Sequence, residues 1–295
     1  MKEPVFTGCG VAIATPFHHG GIDYDAFRRL IDWQIESGTD AIIVCGTTGE
    51  AATLTPDERE TLIKTCVAQV AHRIPVIAGT GSNDTAHAVE LSRQAQSLGA
   101  DGLLVVTPYY NKATQKGLVQ HFTAVADAVE LPVIVYNVPS RTGVKCTAET
   151  YALLAQHPNI NGVKEASSDF ALIQDTKNLC PDSLSVWSGN DEETAAICLL
   201  GGAGVISVAA NIVPREMHAL CELCFENDFA SAGELQLRLS PLIRALFCEV
   251  NPIPVKTAME ELGLCGGALR LPLCDISPEN RARVKAAMEC FGVIV

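Results

Sequence analysis

Aromatic side chains make up only 5% of this 295-residue chain, within an apolar fraction of 48%. Large rings therefore cannot fill its core, and Ala, Val, Ile and Leu must do so, which suits parallel strands stacked beneath helices. Basic residues are also in deficit: 21 Lys and Arg against 34 Asp and Glu leave a net charge of −13. That balance argues against nucleic acid or an anionic membrane as the main partner. No apolar run approaches the ~18 residues needed to cross a bilayer. Met1-Lys-Glu-Pro4 leads straight into a strand-like segment, without the charged-then-apolar leader of a signal peptide. The expected location is the cytoplasm. No linker rich in Pro, Gly or Ser divides the chain, although its length would allow one large barrel or two ordinary domains.

Cysteine, by contrast, is abundant, with twelve residues scattered mostly among apolar neighbours. Cys221-Glu-Leu-Cys224 is the only CxxC, and no second CxxC or CxxH completes a zinc set, so no metal is expected. This pair lies in a helical pattern, where cysteines serve as small core residues. Free thiols in this number fit a reducing compartment.

Short apolar runs alternate with amphipathic stretches. The expected strands are Val11–Pro16, Asp40–Gly46, Pro75–Thr80, Gly102–Pro108, Pro132–Asn137, Gly162–Ala166, Ser185–Gly189 and Gly204–Ala209. Between them lie helical patterns such as Tyr24–Ser37, Pro56–Ala71, Thr85–Leu98, Gly117–Ala128 and Glu192–Leu200. Asp23, Thr55-Pro56-Asp57-Glu58 and Asn83-Asp84 supply start signals. Eight strands alternating with helices predict a (β/α)8 TIM barrel over residues 1–226. The remainder, 227–295, reads as a helical appendage over Phe229–Glu249, a segment from about Ile253, and Pro278–Cys290. It would pack on the barrel or support a subunit contact.

Reactive groups in such a barrel gather at the C-terminal ends of the strands. The sixth expected strand, within Ile160-Asn-Gly-Val-Lys-Glu-Ala166, places Lys164 in an apolar run, where burial would lower its pKa and free the amine for addition to a carbonyl. Side chains alternate along a strand, so if Lys164 points inward, Glu165 points out to the helices, and desolvation rather than a salt bridge sets the amine's pKa. The bland alternative is pairing with another buried carboxylate. Gly46-Thr47-Thr48-Gly49 could hold a carboxylate through neutral donors, or be an ordinary turn. Tyr136 and Tyr110 could relay protons with Thr47 between them, or merely pack with satisfied hydroxyls. Arg141, on the loop after the fifth strand, suits capture of a second anion, the alternative being a solvated surface arginine.

Thr47-Thr48-Gly49-Glu50, Pro108-Tyr-Tyr-Asn111, Tyr136-Asn-Val-Pro-Ser-Arg-Thr-Gly143, Gly162-Val-Lys-Glu165, Gly204-Val-Ile-Ser207 and Asn251-Pro-Ile-Pro-Val-Lys256 together resemble the dihydrodipicolinate synthase family. This family lies within the N-acetylneuraminate lyase/class I aldolase superfamily. The likeness runs in order from about residue 5 to the C-terminus. It implies a lyase of lysine and diaminopimelate biosynthesis that condenses pyruvate with L-aspartate 4-semialdehyde without a cofactor. By the same resemblance Lys164 would form the imine, Thr48 would hold the pyruvate carboxylate, and Tyr136, Thr47 and Tyr110 would form the proton relay. Arg141 would receive the semialdehyde carboxylate, and the backbone of Ile206 would line the site. The family's tyrosine at Tyr110 is lent across a dimer interface, commonly within a homotetramer of two tight dimers. In members inhibited by lysine, a second site would include Asn83 and Tyr109. Here Ala51, Pro56, Arg59 and His87 stand where Ser, His, His and Glu would be, so weak or absent inhibition is expected.

Two other readings compete. A pyruvate-dependent aldolase or lyase of the N-acetylneuraminate or 2-keto-3-deoxy-sugar-acid type would keep the lysine and tyrosine, but Arg141 suits a short acidic aldehyde better than a polyhydroxylated chain. A non-catalytic barrel would have no use for the combination of Lys164, Tyr136, Thr47 and Tyr110. A phosphate or flavin cradle is not expected at Gly201-Gly202-Ala203-Gly204, which precedes the eighth strand and so lies at the opposite face.

Overall fold

A computed structural model describes residues 2–293. Met1, Ile294 and Val295, at the outer ends of the expected barrel and appendage, lie outside the described residues. Eight parallel strands close in chain order: β1 Gly8–Ala12, β2 Ala41–Val44, β3 Val76–Gly79, β4 Gly102–Val106, β5 Val133–Asn137, β6 Ile160–Glu165, β7 Ser185–Ser188 and β8 Gly204–Ser207. β1 pairs with both β2 and β8, so no edge is left open. Around them stand α1 Tyr24–Glu36, α2 Pro56–Val70, α3 Thr85–Ser97, α4 Gln115–Asp127, α5 Ala148–Leu154, α6 Phe170–Leu179, α7 Thr194–Leu199 and α8 Pro214–Phe225. The architecture is a TIM barrel, as expected. Among the described residues, no helix is long and apolar enough to cross a membrane.

Period-two alternation divides the apolar residues into two cores. One face of each strand meets the helices, in a large cluster that includes Val11, Ile42, Val105, Val135, Val163 and Val205. The other face fills the barrel, with Ile43, Ile77, Leu104, Ile134 and Ile206. Phe6 and Trp187 stack in this inner core with ring centroids 5.1 Å apart. Gly162 makes room for the indole: a Cβ there would sit 2.3 Å from the Trp187 ring.

Several helix starts form as their sequences dictate. Asp23 accepts from the Ala26 N–H at 2.8 Å, Thr55 and Glu58 make a reciprocal capping box, and Asp84 caps α3. The first strand differs from expectation. It runs from Gly8 to Ala12 rather than Val11 to Pro16. Two glycines hide its start, and Gly8 is required because a Cβ would collide with the Asp40 carboxylate at 2.2 Å. The run Ile13–Thr15 stays buried after the strand ends: the Ala14 N–H donates to Asn211 Oδ1 and the Thr15 carbonyl accepts from Lys256. A small hairpin, Phe17–His18 with Gly21–Ile22, follows and was not expected.

The C-terminal region is helical: α9 Phe229–Leu246, α10 Ile253–Glu261 and α11 Pro278–Phe291. α9 packs on α7, α8 and α11. α10 is the element that matters for the site. Every residue from Asn251 to Met259 is buried, because this segment lies against the loop after β2. Cys221 and Cys224 are buried in α8, as small core residues.

Candidate active site

Lys164 projects into the barrel from β6, buried, with β5 and β7 on either side. Its register neighbour on β5 is Tyr136, and the amine lies 4.5 Å from the centre of the Tyr136 ring. Glu165 points outward, as alternation requires. It accepts from the Tyr151 hydroxyl at 2.7 Å, from Asn137 Nδ2 at 3.0 Å and from the Ser167 N–H at 2.8 Å. None of the ion pairs among the described residues involves Lys164.

Burial is consequently the main influence on the amine, pulling its pKa from 10.5 down to about 8, with Asp191 opposing the shift and Arg141 adding to it. The alternative of a paired structural lysine is thereby set aside. Asp191 is itself buried. Its Oδ2 accepts from the Val208 and Ala209 N–H groups at 3.1 and 3.0 Å, and its Oδ1 has no partner among the described residues. Burial raises its pKa, with the nearby Ser207 hydroxyl, the two backbone N–H groups and the charge of Lys164 opposing the shift. Burial also pushes the Tyr136 phenol up to about 12, the Arg141 charge partly countering it, so the phenol is neutral at ordinary pH.

Above the amine lies a cavity of about 180 Å³, lined by Thr47, Thr48, Tyr136, Arg141, Lys164 and Asn251 among others. An outer chamber of about 350 Å³ shares Thr47, Tyr136, Arg141 and Asn251 and extends to Ala51, Arg59 and Tyr109. The loop after β2 brings in Thr47 and Thr48 on different sides: Thr48 is buried, whereas Thr47 is exposed in the single chain. Arg141 ends up at the mouth on a one-turn helix, Pro139–Thr142, and donates to the Asn251 carbonyl at 3.2 Å.

Within the single chain, two of the expected residues stand apart from the cavity. Tyr110 is 89% exposed, has a left-handed φ of +73°, and does not line either chamber. Ile206 is packed inside the barrel and is absent from the cavity wall, where Gly189 and Val208 line it instead. Tyr109 lines the outer chamber, and Asn83 lies outside it, its carbonyl accepting from Asn111. Arg59 fills the space beside Ala51, donating to the Gly79 and Ala51 carbonyls at 2.7 and 3.2 Å.

Sequence reasoning overlooked the support of the site. Asn251, Glu50 and Lys256 lie in the motifs that carry the resemblance, but the motifs alone assign them no role. Glu50 and Lys256 form a fully buried ion pair at 2.7 Å, and Glu50 also accepts from the Arg270 N–H at 3.1 Å. The available signal was a lysine inside the apolar stretch Ile253–Met259, which demands a buried carboxylate somewhere.

A desolvated, unpaired amine beside a protonated phenol, with hydroxyl donors and a guanidinium above, can form an imine with a small 2-oxo acid and present it to a second anionic reactant. Comparison with known proteins agrees. The model of the Dihydrodipicolinate synthetase family matches residues 5–290. A 4-hydroxy-tetrahydrodipicolinate synthase of Thermoanaerobacter sp. (strain X514) is 52% identical over 292 residues, covering 99% of this chain and 98% of that protein. The dihydrodipicolinate synthase of Aquifex aeolicus superposes with a TM-score of 0.96 at 46% identity, covering 98% of this chain and 99% of that one. The Acinetobacter baumannii enzyme, solved in complex with pyruvate, gives 0.96 at 45% identity and the same coverage. This chain belongs to the dihydrodipicolinate synthetase family.

Proposed function

We propose that the chain performs its family's reaction at the amine of Lys164, with the surrounding residues in the roles that follow. The activity is that of a 4-hydroxy-tetrahydrodipicolinate synthase, a lyase of lysine and diaminopimelate biosynthesis joining pyruvate to L-aspartate 4-semialdehyde. Lys164 Nζ adds to the pyruvate ketone and water leaves, giving an imine whose protonated form acts as an electron sink. A methyl proton departs and the resulting enamine attacks the semialdehyde aldehyde carbon. Tyr136 supplies the proton to the new alkoxide, a task suited to a phenol held neutral by burial. The semialdehyde amine then attacks the imine carbon, closing the ring and expelling Lys164. Thr48 holds the pyruvate carboxylate and Arg141 that of the semialdehyde. Thr47 and Tyr110 complete the relay, and in this reading the Ile206 backbone supports the floor of the site.

The observation that carries this reading is the buried Lys164 amine, unpaired and 4.5 Å from the Tyr136 ring. Borohydride reduction with pyruvate, followed by intact-mass measurement, tests it. The expected result is one reduced pyruvate adduct on the native chain and none on Lys164→Ala. An unmodified native chain would overturn the assignment.

The reading includes a homotetramer of two tight dimers in which Tyr110 enters the partner's site. The exposure and left-handed backbone of Tyr110 support this, since its own chain leaves most of the ring uncovered. Mixing Tyr110→Phe with Lys164→Ala tests the sharing: hybrid dimers should recover activity that neither variant has alone, and no recovery sinks it. A reducing, cytoplasmic location is supported by cysteines that all remain free thiols.

A further inference from the structure

Asn251 stands at a junction. It sits in the buried segment that enters α10, and it lines both chambers of the cavity. Its side-chain Nδ2 donates to Thr48 Oγ1 at 3.0 Å. Its backbone carbonyl accepts from Arg141 Nη2 at 3.2 Å. Its Oδ1 is buried with no partner among the described residues. One residue of the C-terminal region therefore touches both groups that are read as carboxylate receptors, although they come from loops after different strands.

The chemistry of these groups gives the contact a direction. An amide nitrogen only donates, so Thr48 Oγ1 must accept from Asn251 and its own hydroxyl proton is left to donate elsewhere. No hydrogen bond donated by that hydroxyl appears among the described residues. The proton is free for an anion in the cavity, where a neutral hydroxyl donor does not compete electrostatically with the neighbouring amine.

Other contacts hold this arrangement in place. Five residues on from Asn251, Lys256 Nζ donates to Glu50 at 2.7 Å and to the Thr15 carbonyl at 2.9 Å. The Thr15 hydroxyl donates to the Gly49 carbonyl at 2.7 Å. The loop bearing Thr48 is thus gripped from both sides, and Asn251 meets it at a defined point.

We infer that Asn251 is a positioning residue, whose amide sets the direction of the Thr48 hydroxyl towards the pyruvate carboxylate while its backbone carbonyl holds Arg141 over the cavity mouth. The inference rests on the reading of Thr48 and Arg141 as carboxylate receptors. It assigns no contact between Asn251 and the reacting atoms.

The test is a double-mutant cycle read on pyruvate alone. The pyruvate concentration giving half-maximal borohydride-trapped adduct is measured for the native chain, Thr48→Val, Asn251→Leu and the double variant. Losing a hydrogen bond to a charged group, Thr48→Val should raise that concentration roughly 10- to 100-fold. Asn251→Leu should raise it roughly 3- to 10-fold with the plateau of adduct retained, the size of a neutral hydrogen bond. On the Thr48→Val background, Asn251→Leu should add less than about twofold, because the partner through which it acts is gone. If Asn251→Leu changes nothing, or adds its full effect to Thr48→Val, the positioning role is wrong. If Thr48→Val itself changes nothing, the carboxylate reading of Thr48 fails and takes this inference with it. Should Asn251→Leu not be recovered folded, Asn251→Ser, smaller and still polar, carries the same comparison.

Discussion

Two lysines are buried in this chain, one at the end of β6 and one in α10, and they have opposite surroundings. Lys256 is enclosed by its requirements: Glu50 Oε1 at 2.7 Å, the Thr15 carbonyl at 2.9 Å and the Phe17 ring 4.3 Å away. Lys164 has an aromatic ring at a similar distance and no carboxylate in contact. Burial lowers both pKa values, but Glu50 opposes the shift at Lys256 through both charge and hydrogen bond, whereas Asp191 acts on Lys164 only through charge. A buried lysine is therefore not reactive merely by being buried. The absence of a paired anion separates the amine suited to addition from the one that holds the fold together.

Lys164→Met gives the largest contrast. Activity should fall on the order of 10⁴-fold or more, since the covalent step is lost. The fold should nevertheless gain. A lysine whose pKa drops from 10.5 to about 8 binds its proton less tightly when folded, and at neutral pH that difference costs about 3 kcal/mol. Denaturant titration at pH 7 should show Lys164→Met more stable than the native chain.

Lys256→Met should move stability the other way. It strands the Glu50 carboxylate in the interior, at a cost of about 3–5 kcal/mol. Adding Glu50→Gln should recover part of that loss. If Lys256→Met matched Lys164→Met in sign, the distinction between the two sites would collapse.

The pH dependence follows from the same sign. Because the folded state releases the Lys164 proton first, stability should rise as pH climbs from about 8 to about 10.5, and Lys164→Met should lack this slope. Asp191→Asn should shift the pH profile of imine formation downward, since the removed charge favours the protonated amine. The groups bearing on Lys164 are Asp191 and Arg141, so an upward shift would mean that Asp191 acts otherwise.

The smallest effect concerns lysine as an inhibitor. Arg59, donating to two carbonyls, and Ala51 occupy the outer chamber beside Tyr109. His87 stands where the resemblance would place a carboxylate for the effector's ammonium. A lysine titration of activity should show little change, and half-inhibition at submillimolar lysine would contradict this.

Much of the barrel was legible because alternation and capping are local. Asp23, Thr55 and Asp84 start helices wherever their chain neighbours allow, and Val163-Lys164-Glu165 takes its in–out order from the strand alone. β1 was displaced because its apolar run continues past the strand, covered by residues far away in sequence such as Asn211 and Lys256. Tyr110 and Ile206 illustrate the remaining gap. A motif names a residue, but burial of Ile206 in the inner core and exposure of Tyr110 on a left-handed backbone depend on where the chain closes around them.

The sequence by itself determined the number and order of the barrel strands, the inward direction of Lys164 and the motifs at the strand ends, because those depend on spacing and side-chain chemistry within a few residues. Only the tertiary structure decided that Lys164 lacks an ion-pair partner, that Lys256 has one, and that Asn251 joins Thr48 to Arg141. Those contacts link residues roughly a hundred to two hundred positions apart, and whether a buried charge is stable or reactive depends on what the closed fold brings within about 3 Å of it.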